Sequence, residues 1–114
     1  MESRNTNLSE PKTKICLIGL GPVGMIMAVH LKEAGCLVAV CDIDKVKINI
    51  VRREGVRLEG VMNKHFFFDH VFSSIGELVT FIPDIVFISV KTYHTPSSVE
   101  EMLPLKNNNT VFIS

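Results

Sequence analysis

A glycine-rich junction between a strand pattern and a helix pattern constrains the fold of this chain more than any other feature. Residues 14–35 are KICLIGLGPVGMIMAVHLKEAG. The first five are almost all apolar, as expected of a strand covered on both faces, and the segment from Pro22 has apolar residues at helical spacing. Three glycines, Gly19, Gly21 and Gly24, lie at the junction. The stretch therefore predicts a strand, a tight turn and a helix in immediate succession.

A second strand follows the helix at once. Gly35 is placed as a helix C-terminal stop, and residues 36–41, CLVAVC, are continuously apolar. A strand, a helix and a strand within about 30 residues make a βαβ unit with parallel strands. The helical spacing predicts that the buried face of the helix is formed by Val23, Met27, His30 or Leu31, and Ala34.

The rest of the chain continues to alternate between helices and strands. The pattern predicts a helix at 44–55 with Asp44 as its cap, then short extended pieces with a hairpin around 62–64 and a strand near 71–72. A short helix with a serine cap follows at 73–82, and a strand follows at 84–90. The last predicted elements are a helix at 95–105, with Thr95 as its cap and Pro96 as its first residue, and a strand from 110. This alternation predicts an α/β fold, a Rossmann-like doubly wound parallel sheet with helices on both faces.

The three glycines have separate roles in such a fold, where the ligand lies at the carboxyl ends of the strands. Gly19 permits the tight turn, Gly21 lets the backbone approach a pyrophosphate, and Gly24 lets the helix pack closely on the strand. Backbone N–H groups and the positive end of the helix attract phosphates. The predicted cofactor-binding residues of the loop are Gly19, Leu20, Gly21, Pro22, Val23 and Gly24.

An acidic residue, Asp42, ends the second predicted strand eighteen positions after Gly24. This is close to the spacing of a carboxylate that binds the adenosine ribose of a dinucleotide. A carboxylate there accepts hydrogen bonds from both ribose hydroxyls and repels a 2′-phosphate, which favours NAD(H). Lys45 and Lys47 are close enough in sequence to bind a phosphate, so NADP(H) stays possible.

A lysine, Lys91, follows the predicted strand at residues 84–90. Its position puts it at the carboxyl edge of the sheet, where a cation can contact a phosphate, a ribose or an anionic substrate. The alternative is a solvated loop lysine.

The glycine loop KICLIGLGPVG and the segment VFISVKTYHT, residues 86–95, together carry a family resemblance. From residue 14 to residue 114 the chain resembles the N-terminal NAD(P)-binding domain of the ketopantoate reductase (2-dehydropantoate 2-reductase) family. The resemblance implies that Lys91 borders the nicotinamide ribose and the substrate edge, and it puts His94 where the family commonly carries glutamine. Members that prefer NADPH generally have a basic residue near the position of Asp42.

The same resemblance implies a domain organisation. The family's catalytic lysine and acid lie in a helical second domain, so no catalytic residue is expected in this chain. We expect a flexible leader at residues 1–13 and a dinucleotide-binding domain at residues 14–114, as a fragment of a longer enzyme.

Three functions are compatible with these features. The first is the cofactor domain of an NAD(P)-dependent reductase that converts a 2-oxoacid such as ketopantoate to its 2-hydroxy acid, in pantothenate biosynthesis. The second is an NAD-sensing module that binds nucleotide without chemistry. The third is the cofactor domain of another hydroxyacid dehydrogenase, since fold alone does not select the substrate.

Composition and side-chain spacing argue against other classes of partner. Twelve basic and twelve acidic residues cancel, so no charge excess points to nucleic acid or to a membrane surface, and the polar N-terminus suggests a cytoplasmic protein. Cys16 and Cys41 lie in apolar runs and are expected to be buried free thiols. His65 and His70 lack a third ligand at useful spacing, so no metal site is expected.

Overall fold

The computed structural model describes residues 12–60, 63–88, 96–106 and 109–113. The helices and strands of this part of the chain are, in order, β1 (Lys14–Ile18), α1 (Pro22–Glu33), β2 (Leu37–Cys41), α2 (Lys45–Glu54), β3 (Val56–Leu58), β4 (Lys64–Phe66), β5 (His70–Phe72), α3 (Gly76–Phe81), β6 (Ile85–Ile88), α4 (Pro96–Lys106) and β7 (Val111–Ile113).

Five of the strands form one parallel sheet in the order β5-β2-β1-β6-β7. The first strand of the chain is therefore central, and the connections run outward from it in both directions. In register, Cys16 of β1 lies between Ala39 of β2 and Val86 of β6. This topology confirms the predicted Rossmann-like α/β fold.

The sheet is covered on both faces, and side-chain alternation along β1 explains how. Ile15 and Leu17 belong to one buried cluster, whereas Cys16 and Ile18 belong to the other, because successive side chains of a strand point to opposite faces. Helices α1 and α2 contribute to the first cluster through Ala28, Val29, Ile48 and Val51. Helices α3 and α4 contribute to the second through Leu78, Phe81, Met102 and Leu105.

The buried face of α1 agrees with the predicted one only in part, since Met27 and Leu31 are half-buried against the first cluster. Its buried residues are Gly24, Ala28 and Val29, whereas Val23 is 64% exposed. Small side chains spaced four apart let the helix axis approach the sheet, so the helix packs on its small residues and leaves several larger ones at the surface. Helical spacing alone did not distinguish these two faces.

The end of α1 and the start of α2 both carry the signals that the sequence predicted. Gly35 has a φ of +101°, a left-handed conformation that suits glycine, just after α1. The side chain of Asp44 caps α2 by accepting hydrogen bonds from the backbone nitrogens of Val46 and Lys47 at 3.1 and 3.2 Å. Both predictions are confirmed.

Strands β3 and β4 pair as a separate two-stranded antiparallel hairpin, as predicted around residues 62–64. Lys64 donates to the Glu33 carboxylate at 2.5 and 2.6 Å, and this hydrogen bond lowers the pKa of Glu33 below its usual value. Lys32 donates to the backbone oxygen of Phe67. The hairpin is thus held against the C-terminal end of α1.

The start of α3 contradicts the predicted serine cap. No side-chain hydrogen bond from the capping residue Ile75 is present. Instead, Oε1 of Glu77 accepts hydrogen bonds from the backbone nitrogens of Ser73 and Ser74 at 2.9 and 3.2 Å. A carboxylate is a stronger acceptor than a hydroxyl, so the glutamate holds the turn while the serines act as donors.

Several expectations fall wholly or partly outside the described residues. They concern the leader predicted at residues 1–13, of which 1–11 lie outside the described residues, the Thr95 cap, and the end of the strand predicted at 84–90. Within the described part, β6 and β7 lie at two of the predicted strand positions, and α4 begins at Pro96. No helix among the described residues is long and apolar enough to span a membrane.

Candidate functional site

The candidate site lies at the edge of the sheet where the parallel strands β1, β2 and β5 end. Cys41 and Phe72 are paired in register as the last residues of β2 and β5, and Ile18 is paired with Cys41 as the last residue of β1. The loops that leave these strands therefore begin side by side. In open parallel sheets this edge is where ligands bind.

The glycine loop turns sharply away from β1 and is tied to β2. Gly19 has a φ of +95°, a conformation that few residues other than glycine adopt. Its backbone nitrogen donates to the backbone oxygen of Cys41 at 2.8 Å. The turn predicted at Gly19 is therefore present, and a ladder-like hydrogen bond to the neighbouring strand fixes it.

Asp42 holds the next residue of the loop. Its Oδ2 atom accepts a hydrogen bond from the backbone nitrogen of Leu20 at 2.8 Å. Its Oδ1 atom accepts one from the backbone nitrogen of Asp44 at 2.9 Å. Asp42 is only 7% exposed and is the one charged side chain that is buried among the described residues. Each carboxylate oxygen has two acceptor directions, so neither oxygen is saturated by these two bonds.

Gly21 presents bare backbone to open space at the N-terminus of α1. A Cβ atom added there would have no neighbouring atom within 4 Å among the described residues. The residue caps α1 without a side-chain hydrogen bond, and the first turn of the helix contains no acidic residue. A helix end with such a cap leaves backbone N–H groups and positive potential for an anion. This cradle fits the pyrophosphate of a dinucleotide.

The remaining loop residues surround this cradle. Leu20 is buried, whereas Pro22 and Val23 are exposed on the first turn of α1. Gly24 is buried in the face of α1 that packs toward the sheet. The six residues of the predicted loop set thus lie together, and the proline occupies the first helical position, where its missing N–H costs no intrahelical bond.

A lysine of α2 reaches the same carboxylate. Nζ of Lys47 lies 3.6 Å from Oδ2 of Asp42, and the lysine side chain is 35% exposed. Lys45 is exposed and forms no ion pair within the described ranges. The sequence offered both lysines as possible phosphate ligands, and the structure places Lys47 beside the acid.

The two buried thiols next to the site, Cys16 and Cys41, are unreactive at neutral pH. Burial, together with the carboxylates of Asp42 and Glu77, raises the pKa of Cys41 to about 12. Burial and the neighbouring Cys41 raise the pKa of Cys16 well above its ordinary value. Both are free and buried, which confirms the prediction of structural thiols, and neither is a thiolate nucleophile at neutral pH.

Other residues singled out from the sequence lie away from this edge or outside the described chain. Lys91 and His94 fall outside the described residues. Nε2 of His65 donates to the backbone oxygen of Glu54 at 2.6 Å, and the ring of His70 lies 4.9 Å from that of Phe81. In residues 12–60, 63–88, 96–106 and 109–113, no group of three His, Cys, Asp or Glu side chains is arranged to hold a metal.

The sequence reasoning missed the hydrogen bond between Asp42 and the loop. A signal for it existed, because Gly19 and Asp42 each follow a strand of one βαβ unit and parallel strands end at the same edge. An acid one residue beyond β2 is therefore within reach of the loop that follows β1.

Comparison with known proteins agrees with this geometry. The model of the family described as ketopantoate reductase PanE/ApbA matches residues 15–114. The chain belongs to this family. A curated relative, 2-dehydropantoate 2-reductase of Aquifex aeolicus, is 33% identical over 97 residues, which is 85% of this chain and 29% of the relative. The chain thus spans under a third of that family member's length.

Solved structures share the fold. A 2-dehydropantoate 2-reductase from Methylococcus capsulatus has a TM-score of 0.69 and 23% identity over 87% of this chain and 32% of its own. A prephenate dehydrogenase from A. aeolicus, in complex with hydroxyphenyl propionate and NAD+, has a TM-score of 0.66 and 18% identity over 91% of this chain and 33% of its own. Both likenesses concern the Rossmann-like sheet and its helices.

Proposed function

We propose that this chain is the dinucleotide-binding part of an NAD(P)-dependent oxidoreductase that reduces a 2-oxoacid such as ketopantoate to its 2-hydroxy acid. The observation that carries the proposal is the open helix end at Gly21, which has no side-chain cap, on a loop that Asp42 and β2 hold in place. Family membership and the name of the Aquifex relative support the substrate class.

Each loop residue has a role in this proposal. The pyrophosphate lies against the backbone of Gly21 and the first turn of α1, where the helix end favours negative charge. Asp42 uses its remaining acceptor directions for the adenosine ribose hydroxyls. The buried acid repels a 2′-phosphate, so NADH is the preferred cofactor and NADPH the weaker one.

The reaction needs more than the cofactor, which supplies a hydride to the substrate ketone when bound. The protein must orient the ketone and protonate the developing alkoxide, and these contributions are worth orders of magnitude in rate. We assign Lys91 and His94 to the substrate edge of the cofactor site. We assign the general acid to residues outside 14–114, so this chain is the cofactor-binding part of the enzyme.

A turnover assay tests whether this chain binds the cofactor while the general acid lies outside it. NADH absorbance is followed with ketopantoate and related 2-oxoacids, using the 114-residue chain and, separately, a chain extended to the length of its relatives. We expect saturable oxidation of NADH by the extended chain and only background with the short one. Saturable turnover by the short chain would contradict the assignment of the acid. NADH binding by the extended chain without turnover of any oxoacid would favour a sensing module instead.

A further inference from the structure

A cavity of about 520 Å³ lies between α3 and the β5 side of the main sheet. Its wall includes Lys14 and Leu37, the first residues of β1 and β2, then His70 and Phe72 of β5, and Glu77 and Phe81 of α3. Neither the glycine loop nor Asp42 lines it. Small-molecule sites occupy about 300–1,000 Å³. The cavity is therefore large enough for a small ligand and is separate from the candidate cofactor site.

A short helix over small side chains explains why this space exists. Helix α3 has six residues, so it is only about 9 Å long. The sheet face below it carries the small side chains of Cys16, Ala39 and Cys41, and Ala39 is paired in register with His70 of β5. Strand β5 is the outermost strand on this side of the sheet. The helix therefore leaves part of the face uncovered near the sheet edge.

Three aromatic rings form one wall of the cavity. The centroid of the Phe81 ring lies 5.8 Å from that of Phe72 in an edge-on arrangement and 4.9 Å from that of His70. The rings of His70 and Phe72 are 6.2 Å apart. Centroid separations of this size are those of interacting aromatic pairs, so each ring restrains the others. A wall of this kind favours a planar aromatic ligand.

A lysine supplies positive charge at one end of this wall. Nζ of Lys14 lies 5.5 Å from the centroid of the Phe81 ring and donates to the backbone oxygen of Phe81 at 3.0 Å. Among the described residues, no carboxylate forms an ion pair with this ammonium. An ammonium has three donors, so two of them are available to a ligand.

The other end of the cavity is acidic. Glu77 is exposed, and its Oε1 atom accepts hydrogen bonds from the backbone nitrogens of Ser73 and Ser74. Glu77 lies one helical turn before Phe81, so its carboxylate and the Lys14 ammonium lie toward opposite ends of α3. An anionic group of a ligand is therefore directed to the lysine.

We infer that this cavity is a second ligand-binding site and that it takes a planar aromatic carboxylate. The ring of the ligand packs against Phe72 and Phe81, and its carboxylate accepts hydrogen bonds from Lys14. An aliphatic acid lacks the contact with the aromatic wall, and a neutral aromatic compound lacks the ion pair, so the combination selects this class. The inference does not depend on dinucleotide binding, because the cavity is lined by other residues.

A fluorescence titration with 2-naphthoate tests the inference. The chain has no tryptophan and one tyrosine, so the emission of the naphthalene ring is measured over a low protein background. We expect saturable binding to the unsubstituted 114-residue chain. Lys14→Gln keeps a donor for the Phe81 oxygen but removes the charge, and it should weaken binding by about tenfold or more. The matched control, Lys12→Gln, changes an exposed lysine and should alter affinity by less than about twofold.

Two further measurements separate the ring contact from the charge. The neutral analogue 2-naphthamide should bind the unsubstituted chain and Lys14→Gln with affinities equal within about twofold, since it makes no ion pair. Thr80 is an exposed residue that also lines the cavity. Thr80→Phe places a ring in this space and should abolish binding of both compounds. Circular dichroism of every variant checks that the fold is intact.

Four outcomes would overturn the inference. They are no saturable binding of 2-naphthoate by the folded chain, full affinity in the folded Lys14→Gln or Thr80→Phe variant, an equal loss in Lys12→Gln, and displacement of the probe by ADP-ribose. An equal loss in Lys12→Gln would mean that general surface charge attracts the anion. Displacement by ADP-ribose would mean that the probe occupies the proposed cofactor site, which would itself remain supported.

Discussion

The carboxylate of Asp42 lies 2.8 Å from the backbone nitrogen of Leu20, from which it accepts a hydrogen bond. With the bond from Gly19 to Cys41 at 2.8 Å, this contact ties the glycine loop to β2 at two consecutive residues. The loop is thus organised by the protein itself. A loop already held in one conformation binds a ligand without the entropic cost of ordering it.

The first prediction concerns the stability that this contact contributes. Asp42→Asn keeps the shape of the side chain, but its amide nitrogen cannot accept, so one of the two backbone donors at Leu20 and Asp44 loses its partner. We expect the free energy of unfolding to fall by about 1–3 kcal/mol, measured by urea denaturation. Asp69→Asn is the matched control, since Asp69 is exposed, and should change stability by less than about 0.5 kcal/mol. Equal effects of the two substitutions would contradict the role of Asp42.

The second prediction concerns the space over Gly21. Its φ of −76° and ψ of −175° suit any residue, and an added Cβ meets no described atom, so Gly21→Val should fold normally. Its branched side chain would occupy the proposed pyrophosphate position. We expect the melting temperature without ligand to stay close to that of the unsubstituted chain, while the rise caused by NADH disappears. Gly21→Ala, with a smaller side chain, should lose only part of that rise. A full NADH-induced rise in the valine variant would place the cofactor elsewhere.

The third prediction concerns the choice of cofactor. If Asp42 binds the ribose hydroxyls and repels a 2′-phosphate, the unsubstituted chain should bind NADH more tightly than NADPH. Asp42→Ala should then reduce the ratio between the two dissociation constants. Competitive titration with both cofactors measures the two dissociation constants. Tighter binding of NADPH by the unsubstituted chain would mean that Lys47 outweighs the carboxylate 3.6 Å away.

The sequence predicted the order of elements well because the strongest signals are local. The signals from the apolar runs, from Gly35 and from the Asp44 cap each depend only on a few neighbouring residues. As a result, β1, α1, β2 and α2 lie close to their predicted bounds. The prediction for the buried face of α1 was right for Met27 and Leu31, which pack against the core. It missed Gly24 and Ala28, because these small residues are buried by the close approach of the helix to the sheet.

The site could be predicted only in outline. Spacing placed the loop and Asp42 at one edge, but the ion pair between Lys47 and Asp42 joins α2 to β2 and depends on the direction of a long side chain. The serine cap of α3 was wrong for a related reason. Glu77 follows Ser73 and Ser74 closely enough to accept from both, and the Ser-x-x-Glu pattern that signals such a turn was interpreted through its serine alone.

The fourth prediction concerns the thiols. At pH 8, a thiol reagent should modify the half-exposed Cys36 in the folded chain, while Cys16 and Cys41 react only after unfolding. The raised pKa of Cys41, about 12 against an ordinary 9.0, means that the folded state favours the neutral thiol. Its contribution to stability is complete below pH 9.0 and is lost as the pH rises toward 12.

Denaturation at increasing alkaline pH tests the sign of this effect. The free energy of unfolding should decrease above about pH 9, and the decrease should be shallower in Cys41→Ala, which lacks the buried group. Stability that rises over the same range, or modification of Cys41 as fast as Cys36 in the folded chain, would contradict the burial of this thiol.

The measurement that tests the central proposal most directly is a calorimetric titration of the 114-residue chain with NADH. We predict saturable binding at one site per chain, competition by ADP-ribose, which carries the same pyrophosphate and adenosine ribose, and no binding heat in Gly21→Val. Circular dichroism of that variant must match the unsubstituted chain. Absence of saturable binding by the folded chain, or equal affinity in the folded Gly21→Val variant, would contradict a dinucleotide site on this loop.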